Sequence, residues 1–256
     1  MDALILSCGT GGGHNAAGFA VKEELLRRGH SVEMINPYTL CRGPLAENVD
    51  QSYVKLVQKA PNAFGAVYSI GNAYRKLPFR SPVYYLNGWM KKIVQQYLQD
   101  HSFDVVIMPH LFPAEIFTNM KRHGMSVPKT LFIATDYTCI PFTEECDCDA
   151  YVIPSPLLED EFARKGISRE KLYPLGIPVQ RAYREAGDPS EAKRRLGLSE
   201  EKRYILMSGG SMGSGKIEEL VEALCEEQKQ YPDTELIVVC GSNRPLLERL
   251  SEQKRT

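Results

Sequence analysis

The run ALILSC-GTGGGH at residues 3–14 decides the fold. Ala3–Cys8 is short and apolar, the length of a buried strand, and it opens directly into glycines. From Asn15 to Arg28, Ala17, Val21, Leu25 and Arg28 recur at helical spacing, and Gly29 ends the run. Ser31–Asn36 (SVEMIN) then reads as a second strand. Strand, glycine loop, helix and strand in that order open a doubly wound α/β fold. Further strands are predicted at Asp104–Met108, Thr130–Ala134 and Tyr151–Ile153, and helices at Phe112–His123 and Leu157–Lys165. Gly124, Pro128, Gly166, Pro174 and Pro178 punctuate them.

The same pattern starts again near the end of the chain. Tyr204–Met207 is a strand, Gly209–Gly215 a glycine loop, Lys216–Gln230 an amphipathic helix and Glu235–Cys240 a strand, with a last helix from Pro245 to Gln253. The polar stretch between the two units reads as a join. The expected division is therefore a Rossmann-like domain at 1–179, a linker at 180–202 and a second Rossmann-like domain at 203–256. Two parallel strands are too few to bury both faces of a sheet, so the second domain is expected to be incomplete.

Composition narrows the class. The 256 residues are 43% hydrophobic and 25% charged, with a net charge of -1. That excludes a disordered chain and gives no global basic excess for nucleic acid. No apolar run approaches the roughly 18 residues of a spanning helix. The N-terminus lacks the basic region of a signal peptide. Seven cysteines, an odd number without an export signal, fit reduced cytosolic thiols.

One stretch departs from this even distribution. Gln51–Gln99 contains no acidic residue and seven basic ones, Lys55, Lys59, Arg75, Lys76, Arg80, Lys91 and Lys92. Interleaved are Tyr74, Phe79, Tyr84, Tyr85 and Trp89, the last being the only tryptophan. Basic heads among amphipathic rings suit a lipid headgroup interface. The competing reading is a helical insertion that turns its aromatics into the core.

Gly11, Gly12 and Gly13, followed by His14, let backbone N–H groups approach an anion at a helix N-terminus. They also fit the loose dinucleotide fingerprint, but the second strand ends at Asn36 where an acid is wanted. His14, in the first helical turn, is kept neutral by the helix dipole, as a general base should be; an exposed cap is the plain alternative. His110 and the Thr135-Asp136-Tyr137 group fall at strand C-termini, the ligand edge of open α/β sheets. His110 reads better as a satisfied buried histidine, and Asp136 as either a site acid or a turn cap. Gly209-Gly210-Ser211-Met212-Gly213 nearly opens a P-loop with Gly215-Lys216, but Ile217 cannot supply the hydroxyl that holds Mg²⁺. A diphosphate loop without a metal fits better. Cys146-Asp147-Cys148-Asp149 is a weak metal pattern, and a solvated turn is the better reading.

Taken in order, GGGHNAA at 11–17, Thr135-Asp136-Tyr137, Asp149-x-Tyr151-Val152, Gly176-Ile177-Pro178 and Gly209-Gly210-Ser211-Met212-Gly213 resemble the monogalactosyldiacylglycerol synthase / processive diacylglycerol glucosyltransferase family. These are relatives of the peptidoglycan UDP-GlcNAc transferase. The resemblance implies a GT-B fold, two Rossmann-like domains facing across a cleft. It implies inverting transfer of a hexosyl or N-acetylhexosaminyl group from a UDP-sugar to a diacylglycerol-type lipid acceptor, with no further cofactor and no metal. His14 becomes the base, with Asp136 beside it in the catalytic group. Gly11, Gly12, Gly13 and Tyr137 take the acceptor side, and Gly209, Gly210, Ser211, Met212 and Gly213 the donor diphosphate. Tyr74, Arg75, Lys76, Phe79, Arg80, Tyr84, Tyr85, Trp89, Lys91 and Lys92 become the anionic-membrane face of a cytoplasmic protein, peripheral on the inner face of the plasma membrane. Ile140 and Thr143 stand where family members often carry a histidine and a tryptophan. The family's later acidic donor motif would lie beyond Thr256, which implies a fragment. A dinucleotide-dependent oxidoreductase, a non-catalytic lipid-surface module and a P-loop hydrolase are the alternatives.

Overall fold

The structure is a computed structural model that describes residues 1–9, 12–41, 80–185 and 187–253. These residues form two compact units that divide between Arg181 and Ala182.

The first unit is built on a six-stranded parallel sheet. Its strands are β1 (Asp2–Leu6), β2 (Ser31–Ile35), β3 (Val105–Met108), β4 (Lys129–Ile133), β5 (Ala150–Val152) and β6 (Leu172–Tyr173), in the order β2-β1-β3-β4-β5-β6. The helices are α1 (Gly12–Arg27), α2 (Pro82–Gly88), α3 (Lys91–Asp100), α4 (Leu111–Arg122) and α5 (Glu159–Arg164). Strand residues alternate between the faces, so β1 splits its apolar run. Leu4 and Leu6 pack with Val94 of α3 and Ile116, Phe117 and Met120 of α4. Ala3 and Ile5 pack with Val21 and Leu25 of α1. A strand apolar at every position belongs in a sheet covered on both sides.

Chain order reverses at β1, with β2 on one side and β3 on the other. Register aligns Ala3 with Val32 and with Val105. That places the C-terminal ends of β1, β3 and β4 side by side at the switch point, where open α/β sheets bind ligands.

In the second unit, β7 (Arg203–Ser208) and β8 (Thr234–Val239) pair in parallel, with α7 (Ile217–Gln228) and α8 (Arg244–Gln253) following them. Ile217, Val221, Cys240 and Leu246 form its core, while Leu206 of β7 is 67% exposed. Within the stretch 180–202, read from sequence as a linker, the described residues from Ala182 onward group with this unit. They contain α6 (Pro189–Arg195), capped by the Asp188 carboxylate. Lys193 donates to the carbonyls of Glu200 and Lys202 and lies over the Tyr204 ring. Polar residues here are ordered by caps and lysine–carbonyl bonds, which composition alone does not reveal.

One buried group makes the first unit sensitive to pH. Glu115 of α4 is fully buried, and neither of its oxygens finds a hydrogen-bond partner among the described residues. Burial pushes its carboxyl up to about 8, assisted by the negative charge of Glu145 and opposed by Arg122 and Arg80. Folded Glu115 therefore keeps its proton across a range where the unfolded chain has lost it. Stability should fall as pH rises from about 4.5 towards 8 and level off above. The contribution is on the order of 5 kcal/mol across that window. Glu115→Gln should flatten this slope, read by chemical denaturation at pH 5, 6.5 and 8. Identical slopes in the two proteins would refute the assignment.

Candidate active site

The site forms where three strands release the chain. The glycine loop after β1 leads straight into α1, which begins at Gly12, so Gly12, Gly13 and His14 make its first turn. Gly11 lies outside the described residues. Pro109 and His110 follow β3, and Thr135, Asp136 and Tyr137 follow β4.

His14 is fixed by what surrounds its ring. Its Nδ1 lies 2.7 Å from the Pro109 carbonyl oxygen. A carbonyl only accepts, so Nδ1 carries the proton and Nε2 keeps its lone pair. The Thr135 hydroxyl oxygen lies 2.9 Å from the same Nδ1 and can share that proton. Burial lowers the imidazole's basicity; the Pro109 hydrogen bond and the charge of Asp136 offset this in part. The result is a neutral imidazole with one committed nitrogen and one available.

Its neighbour His110 is buried at the N-cap of α4, where its Nδ1 accepts the Phe112 N–H at 3.1 Å. The two imidazoles meet edge-on with centroids 4.5 Å apart. Burial holds His110 well below the ordinary histidine range, and His14 adds to this. A second cation beside His14 is thereby excluded.

Beside His14 lies a narrow crevice of only about 10 Å³, room for about one water. Leu111, Phe132, Ile140 and Phe162 give it apolar walls, and Asp136, Thr138 and Thr143 its polar groups. The structure thus brings His14 and Asp136 to one crevice. Tyr137 stands beside them, 72% exposed.

The second glycine loop sits between β7 and α7, and its glycines have a steric reason. A Cβ on Gly213 would lie 2.0 Å from the Cys240 carbonyl oxygen, and its φ is +57°. Gly209 N–H bonds the Val239 carbonyl, Gly210 N–H the Ser208 hydroxyl and Gly213 N–H the Gly210 carbonyl. Ser211 accepts from Ser242 N–H through its carbonyl, and Met212, between Ser211 and Gly213, is half-buried. The first turn of α7 carries Glu218 and Glu219, paired with Arg249 and Lys216.

The basic aromatic stretch divides. Tyr74, Arg75, Lys76 and Phe79 lie outside the described residues. Tyr84, expected at the surface, is a correction: it is buried between α2 and α4, with the guanidinium groups of Arg80 and Arg122 over its ring. Helical spacing turns Tyr84, Asn87 and Gly88 inward. It leaves Tyr85, Leu86 and Trp89 exposed. Arg80 and Lys92 are exposed too, while Lys91 is half-buried with its Nζ 3.3 Å from His123 Nε2.

Two other patterns find ordinary roles. Asp147 pairs with Lys171 and Asp149 with Lys121, while burial raises the Cys146 and Cys148 thiols and keeps them protonated. At the end of β2, Asn36 Oδ1 accepts the Tyr38 N–H. No acid stands there for a ribose. Sequence reasoning missed the Pro109 carbonyl, the hydroxyl of Thr135 acting on His14, and Glu161, whose carboxylate holds the loop after Asp136. A backbone carbonyl leaves no residue-type signal, and Glu161 is remote in sequence.

The sequence model of the monogalactosyldiacylglycerol (MGDG) synthase family matches residues 14–179. The processive diacylglycerol beta-glucosyltransferase of Bacillus licheniformis is 24% identical over 253 residues, 98% of this chain and 64% of that protein. The probable chloroplastic monogalactosyldiacylglycerol synthase of Glycine max is 26% identical over 264 residues, 97% of this chain and 48% of that protein. The chain thus spans less than two-thirds of the length of these relatives. Among solved structures, the S. aureus MnaA–UDP co-structure aligns with a TM-score of 0.54 at 11% identity, covering 97% of this chain and 65% of that one. MurG of Acinetobacter baumannii aligns at 0.50 and 12%, covering 95% and 60%. At such identities the likeness establishes the fold, α/β with GT-B-like Rossmann units.

The two glycine loops should answer differently to a methyl group. Gly13 has no heavy atom within 4 Å of a built Cβ among the described residues. Gly13→Ala should leave the melting temperature unchanged or raise it slightly, since alanine favours a helix by about 0.5–1 kcal/mol. Gly213→Ala should cost on the order of 2–4 kcal/mol, through overlap with Cys240 and a left-handed backbone. Thermal unfolding of both variants checks this; equal effects would contradict the difference in packing.

Proposed function

The chain belongs to the monogalactosyldiacylglycerol synthase family, and from that premise we propose that it acts in glycosyl transfer to a membrane lipid. The donor is a UDP-sugar, the group moved is a hexosyl or N-acetylhexosaminyl residue, and the acceptor is the hydroxyl of a diacylglycerol-type lipid. The observation that carries this reading is the neutral His14, its Nδ1 proton spent on Pro109 and its Nε2 without a hydrogen-bond partner among the described residues, in a crevice shared with Asp136.

The chemistry follows from that arrangement. Nε2 takes the proton of the acceptor hydroxyl as its oxygen attacks the anomeric carbon. The bond from that carbon to the UDP oxygen breaks, the electron pair leaves with UDP, and attack from the opposite face inverts the centre. His14 ends as an imidazolium, stabilised by the carboxylate of Asp136. Gly12 and Gly13 give the acceptor close access, with Tyr137 at the rim. The loop Gly209–Gly213 is assigned to the donor diphosphate. It precedes α7, whose helix dipole favours negative charge. UDP itself and the sugar are substrates, and the reading uses no other cofactor.

Tyr85, Leu86 and Trp89, with Arg80 and Lys92 nearby, are assigned to an anionic membrane surface, the inner face of the plasma membrane. Among the described residues no helix is long and apolar enough to cross a membrane. Attachment by this face would be peripheral, with rings at headgroup depth and cations at the phosphates.

Two experiments test the proposal. In protein expressed from its complete reading frame, His14→Ala should lower transfer from a UDP-sugar to diacylglycerol at least about 100-fold while UDP binding by calorimetry is retained. Transfer at the parent rate would remove the base. Binding to vesicles containing anionic phospholipid should weaken as salt rises from about 0.1 M to 1 M, where the screening length falls from about 10 to 3 Å. Trp89→Ala should weaken it at both salts, and binding indifferent to salt and to Trp89 would exclude this face.

A further inference from the structure

The loop that carries Asp136 is held at both ends and open in the middle. At its start, Ala134 N–H bonds the Val152 carbonyl at 2.9 Å, and the Thr135 hydroxyl meets His14 Nδ1. At its far end stands Glu161 of α5. One oxygen of that carboxylate, Oε1, accepts from the Thr138 hydroxyl at 2.6 Å, from the Cys139 N–H at 2.9 Å and from Lys165 Nζ at 3.0 Å. Lys165 also donates to the Cys139 carbonyl, so the pair grips both the N–H and the C=O of one loop residue. Between these attachments lie Asp136 and Tyr137. No hydrogen bond or ion pair from the described residues holds the Asp136 carboxylate in place.

We propose that Glu161 is a positioning residue for the site: through Thr138 and Cys139 it holds the 135–139 loop so that the Asp136 carboxylate stays beside the His14 imidazole. Glu161 does not line the crevice, and it acts only through the loop. Three donors on one oxygen exceed what a surface helix residue needs, and two of the three belong to the loop. Lys165, one helical turn away, completes a pair that is half-buried on both sides. Burial opposes the charge on Glu161, but the Thr138, Lys165 and Cys139 hydrogen bonds outweigh it and hold the carboxyl below its ordinary value. The latch is therefore charged throughout the neutral range. The inference deepens the proposed transfer site and depends on that reading only for its catalytic consequence.

The test reads the position of Asp136 through its effect on His14, in the chain as it stands. Asp136 supports the charged form of His14, so its displacement should lower the imidazole pKa. The His14 titration followed by NMR should move down in Asp136→Asn. It should move down by a smaller amount, a few tenths of a unit, in Glu161→Gln. Thr138→Val removes one arm of the latch without changing charge and should shift it the same way. In an Asp136→Asn background, neither second change should shift His14 further. A wild-type titration in Glu161→Gln and Thr138→Val would overturn the proposal. So would an undiminished Glu161→Gln shift in the Asp136→Asn background, which would be a direct charge effect. Should Glu161→Gln not fold, Thr138→Val alone decides. In protein expressed from its complete reading frame, Glu161→Gln should also lower kcat with little change in KM for the UDP-sugar. Loss of the titration effect defeats the latch, whereas absence of any transfer in the unaltered protein defeats the proposed reaction and leaves the latch standing.

Discussion

The first unit's chemistry depends on one hydrogen bond, from His14 Nδ1 to the carbonyl of Pro109. The partners come from opposite sides of a crossover, and 95 residues separate them in the chain. Only the parallel register of β1 with β3 brings the first turn of α1 against the residue that follows Met108. The carbonyl cannot be protonated and cannot rotate away, since it is backbone at the end of a buried strand. It therefore dictates the tautomer of His14 more firmly than a side chain would. A carboxylate in its place would add charge and raise the imidazole's basicity. The carbonyl orients the ring and leaves burial free to keep it neutral.

The same competition between burial and hydrogen bonding sorts the carboxylates. Glu115 and Glu161 both project from helices of the first unit, yet they resolve oppositely. Glu115 is fully buried with no donor among the described residues, so its carboxyl keeps the proton. Glu161 is half-buried with three donors on one oxygen, and the charge wins. Asp149 follows Glu161: burial opposes its charge, but the hydroxyl and N–H of Thr130 and the ammonium of Lys121 outweigh it. Donor count at the buried oxygen decides the outcome, more than depth alone.

Much of this architecture was legible in the chain. Apolar runs at β1, β3, β4, β7 and β8 and the glycines after β1 and β7 identify strands and turns; in β1, β3 and β4 burial on both sheet faces demands continuous apolar residues, whereas β7 keeps its apolar run although much of it is exposed. His14 was legible because a helix start after such a strand is a known place for a ligand. Strand β6, at two residues, is below the length that carries a pattern. The inward turn of Tyr84 was not legible, because an aromatic at helical spacing fits a core and an interface equally. Packing against α4 decided it. Nor was the turn after α6, where Lys193 bonds the Glu200 and Lys202 carbonyls and supplies cohesion that apolar residues supply elsewhere.

The two glycine loops show why a shared motif does not imply a shared use of glycine. In the second loop, Gly213 is required by the fold itself, because the Cys240 carbonyl occupies the space a side chain would need. In the first, a side chain at Gly13 would meet no heavy atom among the described residues, and Gly13 lies in a helix, where glycine is the poorer choice than alanine. Nothing among the described residues calls for glycine there, and the close approach of the proposed acceptor would. Under the proposed reaction, the first turn of α1, with His14 next in line, is where the first unit would give up stability for access.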